Sequence, residues 1–288
     1  MRVLVTGGRG QLGATLGDLD GLGGVAVVAL GRDACDVTDP ASVRLALAEH
    51  RPDALINCAA WTRVDDAEIE ERAAWALNAE APGILAAACA NAGVLLTHLS
   101  TDYVVPGDGS SPIDELRAPA PRSAYGRGKL AGEEVVRANA PRYQVVRTSW
   151  LYGRDGPNFV LTMLRLGRAG TSPRVVADQT GAPTWTGHLA PALLRLVGSG
   201  QTGTFHLTNS GSTTWHGFAN AVFADAGLEV TAAPITTAEY PTRAQRPSYS
   251  VLDNAAWRRL GEAPLPPWQE GLAAYIDELR VRGKLAAA

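Results

Sequence analysis

Tyr125 and Lys129 lie four residues apart in SAYGRGKL (Ser123–Leu130), and Lys129 is one of only two Lys among the 26 Lys and Arg of the 288-residue chain. Residues four apart on a helix share a face, so the two side chains can meet. A phenol titrates near pH 10 and serves as a general acid when a positive charge stands close to it. An ammonium acts by favouring the phenolate. This composition prefers Arg, but only a compact ammonium with a movable pKa can tune its neighbour. The spacing therefore predicts Tyr125 as a proton donor and Lys129 as its tuning cation.

A second group of residues binds rather than reacts. VTGGRGQLG places Gly7, Gly10 and Gly13 between an apolar run and a helical one. Gly7 permits a tight turn, Gly10 lets backbone approach a pyrophosphate, and Gly13 lets helix and strand pack closely. The helix start at Gln11 and Leu12 offers free N–H groups to phosphates. This is the strand–turn–helix context of dinucleotide binding, and in it Lys129 can also hold the ribose hydroxyls of a nicotinamide nucleotide. An acidic residue at the end of the second strand would take the ribose 2′-OH of NAD. Leu30-Gly31-Arg32 puts Gly there instead, and Arg32 suits the 2′-phosphate of NADP. The expectation is NADPH, with NADH kept open by Asp33. Asp36 and Val37 are expected along the adenine.

These residues need a scaffold that brings strand ends together. Buried strands are read at Met1–Val5, Val25–Leu30, Ala54–Ala60, Val94–Ser100 and Tyr143–Trp150. Helices between them cover Gln11–Leu19, a segment starting at Asp39 and Pro40, one long Ala-rich run from Glu71 to Gly93, and Ser123–Asn139. Asp102–Arg122 is rich in Pro, Gly and Ser and reads as a loop. Five strands alternating with helices predict an α/β fold, a doubly wound parallel sheet of Rossmann type. Beyond Trp150 the pattern weakens, which predicts a smaller, discontinuous C-terminal substrate lobe. The expected division gives residues 1–150 to the nucleotide-binding domain, with 175–207 returning to it, and residues 151–174 and 208–288 to the substrate lobe. The terminal alanines are expected to fray.

Bulk composition narrows the function. Hydrophobic residues make up 46% and the formal net charge is -3, which speaks against a broad nucleic-acid surface. Cys35, Cys58 and Cys89 show no C-x-x-C spacing, and the five His no metal-ligand spacing. The apolar run at the start is short for a signal segment, and no run reaches the length of a membrane span. A cytoplasmic enzyme with no membrane partner is expected.

The chain resembles the extended short-chain dehydrogenases/reductases, and more closely the dTDP-4-dehydrorhamnose reductase family. The carriers run nearly end to end: the glycine turn, AAWTRVDDAE (Ala59–Glu68), LNAEAP, LSTDYV (Leu99–Val104), YGRGKLAGE (Tyr125–Glu133), RTSWLYG, NFV and DQTGAPT. The resemblance implies reduction of the C4 keto group of a dTDP-4-dehydro-6-deoxy sugar, foremost dTDP-4-dehydro-L-rhamnose to dTDP-L-rhamnose. Tyr125 would protonate the developing alkoxide, Lys129 would hold Tyr125 and the nicotinamide ribose, and Thr101 would hydrogen-bond the reacting carbonyl oxygen. Ser100 is the neighbouring hydroxyl. Asn78 would support a proton relay behind Lys129. Cys58, Ala59 and Ala60 would border the cofactor. Thr62, Val64, Asp102, Tyr103 and Trp150 would border the sugar, Gln179, Thr184 and Trp185 the nucleotide end, and Arg246 the diphosphate. Trp150 is placed at the end of the fifth strand.

Some relatives carry a Glu two residues beyond the third glycine, part of a magnesium site at a dimer interface. Ala14 and Thr15 follow Gly13 here, so no metal site is expected and the chain should be a monomer or weak homodimer. Other readings are a reductase of a different dTDP-4-keto sugar, as in dTDP-dihydrostreptose formation, and a non-catalytic nucleotide-binding regulatory subunit. The presence of Thr101, Tyr125 and Lys129 together favours an enzyme. A dehydratase would want an acidic residue where Tyr103 stands.

Overall fold

The computed structural model describes residues 1–285; the expectation about the terminal alanines lies outside them. The chain opens with β1 (Arg2–Thr6), α1 (Gln11–Gly17), β2 (Ala26–Leu30), α2 (Pro40–His50) and β3 (Ala54–Asn57). Next come α3 (Glu71–Trp75), α4 (Ala81–Ala92), β4 (Leu95–Thr101), α5 (Ala124–Asn139) and β5 (Tyr143–Thr148). The strands form an all-parallel sheet in the order β2-β1-β3-β4-β5, extended beyond β5 by β10 (Gly203–His206). The order reverses between β1 and β3, and ligands bind such sheets in the crevice at that switch. The strands are nearly continuous in buried apolar residues because helices cover both faces. One layer of core gathers Val3, Val5, Ile56 and Leu193, and the other gathers Leu4, Leu55, Leu85 and Val145.

The rest of the chain completes the sheet or caps its strand ends. Its elements are β6 (Leu151–Tyr152), α6 (Phe159–Arg168), β7 (Arg174–Val176), β8 (Thr180–Gly181), β9 (Thr184–Trp185), α7 (Thr186–Ser199), β11 (Thr213–Thr214), α8 (Trp215–Asp225), β12 (Ala233–Ile235), α9 (Ala255–Arg259) and α10 (Trp268–Val281). α7 packs on α1, and β10 joins the main sheet. Residues 174–185 instead make two-stranded ribbons with small-lobe strands: β7 with β12, β8 with β11 and β9 with β6. The return to the large domain therefore runs from α7 to β10, a narrower span than 175–207. The small lobe has its own core, in which Tyr152, Phe218, Trp268 and Tyr275 are buried.

Two local features depart from the sequence reading. The Ala-rich run is not one regular α-helix, because a π-helical turn at Ala76–Glu80 separates α3 from α4. Such turns recur at functional positions, and this one turns Asn78 inward, where it accepts from Trp61 N and donates to Trp61 O. β5 ends at Thr148, so Trp150 lies past it rather than on its last residue. Trp150 takes a left-handed φ of 46°, a conformation that costs a bulky residue roughly 1–2 kcal/mol.

Candidate active site

The strand ends and the small lobe enclose a cleft of about 640 Å³. The glycine turn forms one end. Gly7 has φ 70°, and a Cβ there would stand 2.7 Å from Ala59 N. Only a residue without a side chain can bring the ends of β1 and β3 this close. Gly10, Gln11 and Leu12 line the cleft at the start of α1, and Cys58 and Ala60 line it beyond β3. Ala59 lies behind them against Gly7. The buried Gln11 Oε1 and Thr148 Oγ1 have no hydrogen-bond partner. The glycine cradle and helix N-terminus fit the phosphates of a dinucleotide. These two orphaned polar atoms, an amide oxygen that accepts and a hydroxyl that can also donate, fit its hydroxyl and amide groups.

The adenosine end is more open. Arg32 is 79% exposed, ion-paired with Asp36, and stands outside the cleft lining. Asp36 also accepts from Thr38 and Ser42 serves its backbone, while Val37 is buried in the core around α2 and α4. The structure adds Arg9, which the sequence reading passed over. Arg9 lines the cleft, pairs with Asp33 and lies over Gly31, where a Cβ would meet Arg9 Nε at 2.9 Å. Its signal was its place inside the glycine turn.

The chemical end is built on β4 and α5. Ser123 caps α5 by accepting from Gly126 N, and Glu68 accepts from Ala124 N. Three glycines weaken α5 as a helix by about 1 kcal/mol each, but they let it approach its neighbours. A Cβ at Gly126 would stand 2.5 Å from Tyr103 O, and Gly128 and Gly132 face Asn78 on the π turn. Tyr125 and Lys129 are both buried, with Thr101 beside them on the last residue of β4. Tyr103 packs edge-on against Tyr125, ring centres 5.4 Å apart.

Burial dominates the titration of this end. It pushes Tyr125 up to about 12, against a hydrogen bond with Thr101, and the nearby Asp102 charge adds to the rise. The lowering anticipated from Lys129 is therefore not seen. Lys129 Nζ donates to Leu99 O at 2.6 Å and stands 3.4 Å from His98 Nε2. Burial brings Lys129 down to about 8, with Glu133 and Cys58 opposing. Asp102 is buried and raised to about 6 by desolvation, although Ser250 donates to it at 2.6 Å and Thr101 at 3.1 Å. Ser250 belongs to the small-lobe segment that runs beside β8, so Asp102 ties the sheet end to that lobe. Ser100 points the other way, donating to Glu133 at 2.6 Å. Glu133 chelates the buried Arg147 and meets Arg137. Burial would raise this carboxyl, but the guanidinium bonds and charges win and hold it below its ordinary value.

The substrate side brings together Thr62, Val64, Asp102, Tyr103 and Trp150 along the cleft. Trp215, at the start of α8, joins them; no sequence motif marked it. The Trp150 and Trp215 rings stack 3.5 Å apart and 6° from parallel. A side chain at Gly181 would run into the Trp150 indole. Arg246 is the misplaced expectation. It binds Asp65 with both guanidinium ends, at 3.2 and 2.8 Å, and does not line the cleft. Asp65 also accepts from Ala244 N, so the pair fastens the small-lobe loop to the loop after β3. Gln179 donates to Thr237, while Thr184 and Trp185 support Asn209; none of the three lines the cleft. Among the described residues no cluster of three metal-ligating side chains occurs, and no helix is long and apolar enough to cross a membrane.

Known proteins share this arrangement. The family model for the RmlD substrate binding domain matches residues 1–281. The chain belongs to that family. It is 49% identical to a Streptomyces antibioticus protein named "Probable dTDP-4,6-dihydroxy-2-methyloxan-3-one 4-ketoreductase", over 97% of this chain and 96% of that one. It is 46% identical to the dTDP-4-dehydrorhamnose reductase of Streptomyces griseus, over 96% and 94%. The crystal structure of dTDP-4-dehydrorhamnose reductase from Bacillus anthracis in complex with NADP superposes with a TM-score of 0.94 at 39% identity, over 96% of this chain and 99% of that one.

Proposed function

We propose that this protein reduces the C4 keto group of a dTDP-4-dehydro-6-deoxy sugar, with NADPH as the reductant and dTDP-4-dehydro-L-rhamnose as the foremost substrate. The observation that carries the reading is the convergence of Thr101, Tyr125 and Lys129 in one cleft whose far end is the glycine turn. The relatives' names and the NADP complex support the same chemistry. The glycine turn, Gln11 and Lys129 would hold the cofactor, whose nicotinamide supplies hydride when bound. Arg9 and Arg32 flank Gly31 and favour a 2′-phosphate over a bare ribose.

The chain's own residues handle the proton. Tyr125 donates its phenolic hydrogen to the oxygen that gains charge, an effect typically worth about 10²–10⁴ in rate. Thr101, which hydrogen-bonds the Tyr125 hydroxyl, would turn its one hydrogen from Asp102 to that oxygen when substrate binds. Val64 and Tyr103, with the Trp150–Trp215 stack, wall the sugar side of the cleft.

The similarity to the S. antibioticus 4-ketoreductase supports a second reading, a different dTDP-4-keto sugar on the same machinery. A panel of dTDP-4-keto sugars, assayed with NADPH and NADH and followed by product identification, separates the two. Fastest turnover of dTDP-4-dehydro-L-rhamnose supports the first reading. Turnover of none overturns both.

A further inference from the structure

Behind Lys129 a row of polar groups crosses the sheet. Thr6, Asn57 and His98 are register partners on β1, β3 and β4, and all three are buried. Their hydrogen bonds can be oriented without ambiguity, starting from a backbone donor. Ala59 N–H donates to Asn57 Oδ1 at 3.1 Å. The Thr6 hydroxyl donates to the same oxygen at 2.7 Å. The amide oxygen is thereby fixed, and Asn57 Nδ2 faces His98 Nδ1 at 3.1 Å. An amide N–H₂ only donates, so Nδ1 must accept. Neutral His98 then carries its hydrogen on Nε2, the atom that stands 3.4 Å from Lys129 Nζ.

That orientation suits an amine and not an ammonium. An ammonium has three donors and no acceptor, and would meet the imidazole N–H head-on. A neutral amine accepts from Nε2–H with its lone pair while still donating to Leu99 O. We propose that His98 is a positioning residue for Lys129, presenting an N–H that disfavours the ammonium until a bound nucleotide offers acceptors in its place. At alkaline pH cofactor binding then takes up a proton at Lys129, and there only the loaded site carries the full positive charge. The idea deepens the reductase reading and rests on it for the role of Lys129.

The other groups around the pair are accounted for. β3 ends in Cys58, a buried thiol pushed up to about 12 and so uncharged. α5 supplies Tyr125, Glu133 and Arg137, of which Glu133 favours the ammonium. Glu133 is already held by Arg147, Arg137 and Ser100. Burial, the largest cause, holds His98 well below its ordinary value and neutral; the Arg137 charge, and that of Lys129 whenever it is protonated, lower it further.

The first test needs neither cofactor nor substrate. ¹⁵N NMR of the labelled parent protein, with His98 assigned through its backbone, should show hydrogen on Nε2 and none on Nδ1. An Nδ1–H tautomer or an imidazolium would overturn the proposal, whatever the enzyme reduces. The second test is calorimetric binding of NADP⁺ in buffers of different ionisation enthalpy. Above about pH 8 the parent should take up protons, and affinity should fall as much as tenfold per pH unit. In a His98→Phe variant that onset should move upward, because the opposing N–H is gone, and an unmoved onset would overturn the proposal. NADP⁺ binding without proton uptake in the parent would overturn the proposal even with the expected tautomer. Should His98→Phe fail to fold, the two measurements on the parent decide it.

Discussion

The two ends of the cleft are built by different means. At the chemical end, Thr101, Tyr125 and Lys129 hang from a strand and a helix whose register leaves one arrangement, with the helix capped by Ser123 and Lys129 held by Leu99 O. At the sugar rim the wall is the Trp150–Trp215 stack, and the segments around it, distant in sequence, are fastened by the Arg246–Asp65 pair and the Ser250–Asp102 bond. The first end depends on secondary structure, the second on tertiary closure. Under the proposed mechanism the same proton chemistry can serve different sugars, since the rim can change without moving the sheet.

The difference predicts where substitutions act. Tyr125→Phe should lower kcat by about 10²–10⁴ while NADP⁺ binding stays within a few-fold. Steady-state kinetics and calorimetry on the same preparation check this, and undiminished turnover would exclude Tyr125 as the proton donor. Glu133→Ala leaves the buried Arg147 charge without its partner, which costs about 3–5 kcal/mol. It should appear as a melting temperature lower by roughly 10 °C. An unchanged melting curve would show that the chemical end does not rest on that pair.

Asp102 links the two ends, and its effect should follow pH. Its folded-state pKa is raised to about 6 from 3.8, so its burial costs nothing below about pH 4, and stability is lost as pH rises through 6. At 1.36 kcal/mol per unit the loss is about 2–3 kcal/mol by pH 8. Urea midpoints of the parent and Asp102→Asn should shift against each other between pH 4.5 and 8, the variant gaining at the higher pH. A constant gap would contradict this.

The rim substitutions are smaller. Trp215→Ala removes a stacked aromatic pair worth about 0.5–1.5 kcal/mol. KM for the sugar nucleotide should rise up to about tenfold with kcat nearly kept, whereas an equal fall in kcat would place Trp215 in the chemistry. Arg246→Met breaks a partly exposed pair worth at most about 1 kcal/mol, and KM should change less than fivefold. A large loss of dTDP affinity would return Arg246 to the diphosphate.

Legibility in the sequence followed the same division. Tyr125, Lys129 and the glycine turn were readable because their geometry is local: one helical turn, one strand-to-helix connection. The parallel sheet was readable from alternation alone. Trp215 was not, because nothing in TTWHGF says that α8 will start against Trp150. Arg246 was misread for a related reason. A guanidinium suits a phosphate and a carboxylate equally, and Asp65 lies 181 residues away in the chain. The pKa of Tyr125 escaped because spacing shows that a cation is near, while desolvation depends on how completely three elements close over the ring.

The stacked indoles of Trp150 and Trp215 also make the molecule its own spectroscopic probe. Two parallel chromophores 3.5 Å apart couple their ultraviolet transitions and should imprint a signature on near-ultraviolet circular dichroism. One of them sits on a backbone conformation that Trp rarely accepts. Any rearrangement at the rim that releases that backbone would part the rings and erase the signal, so rim motion can be followed in real time without a label.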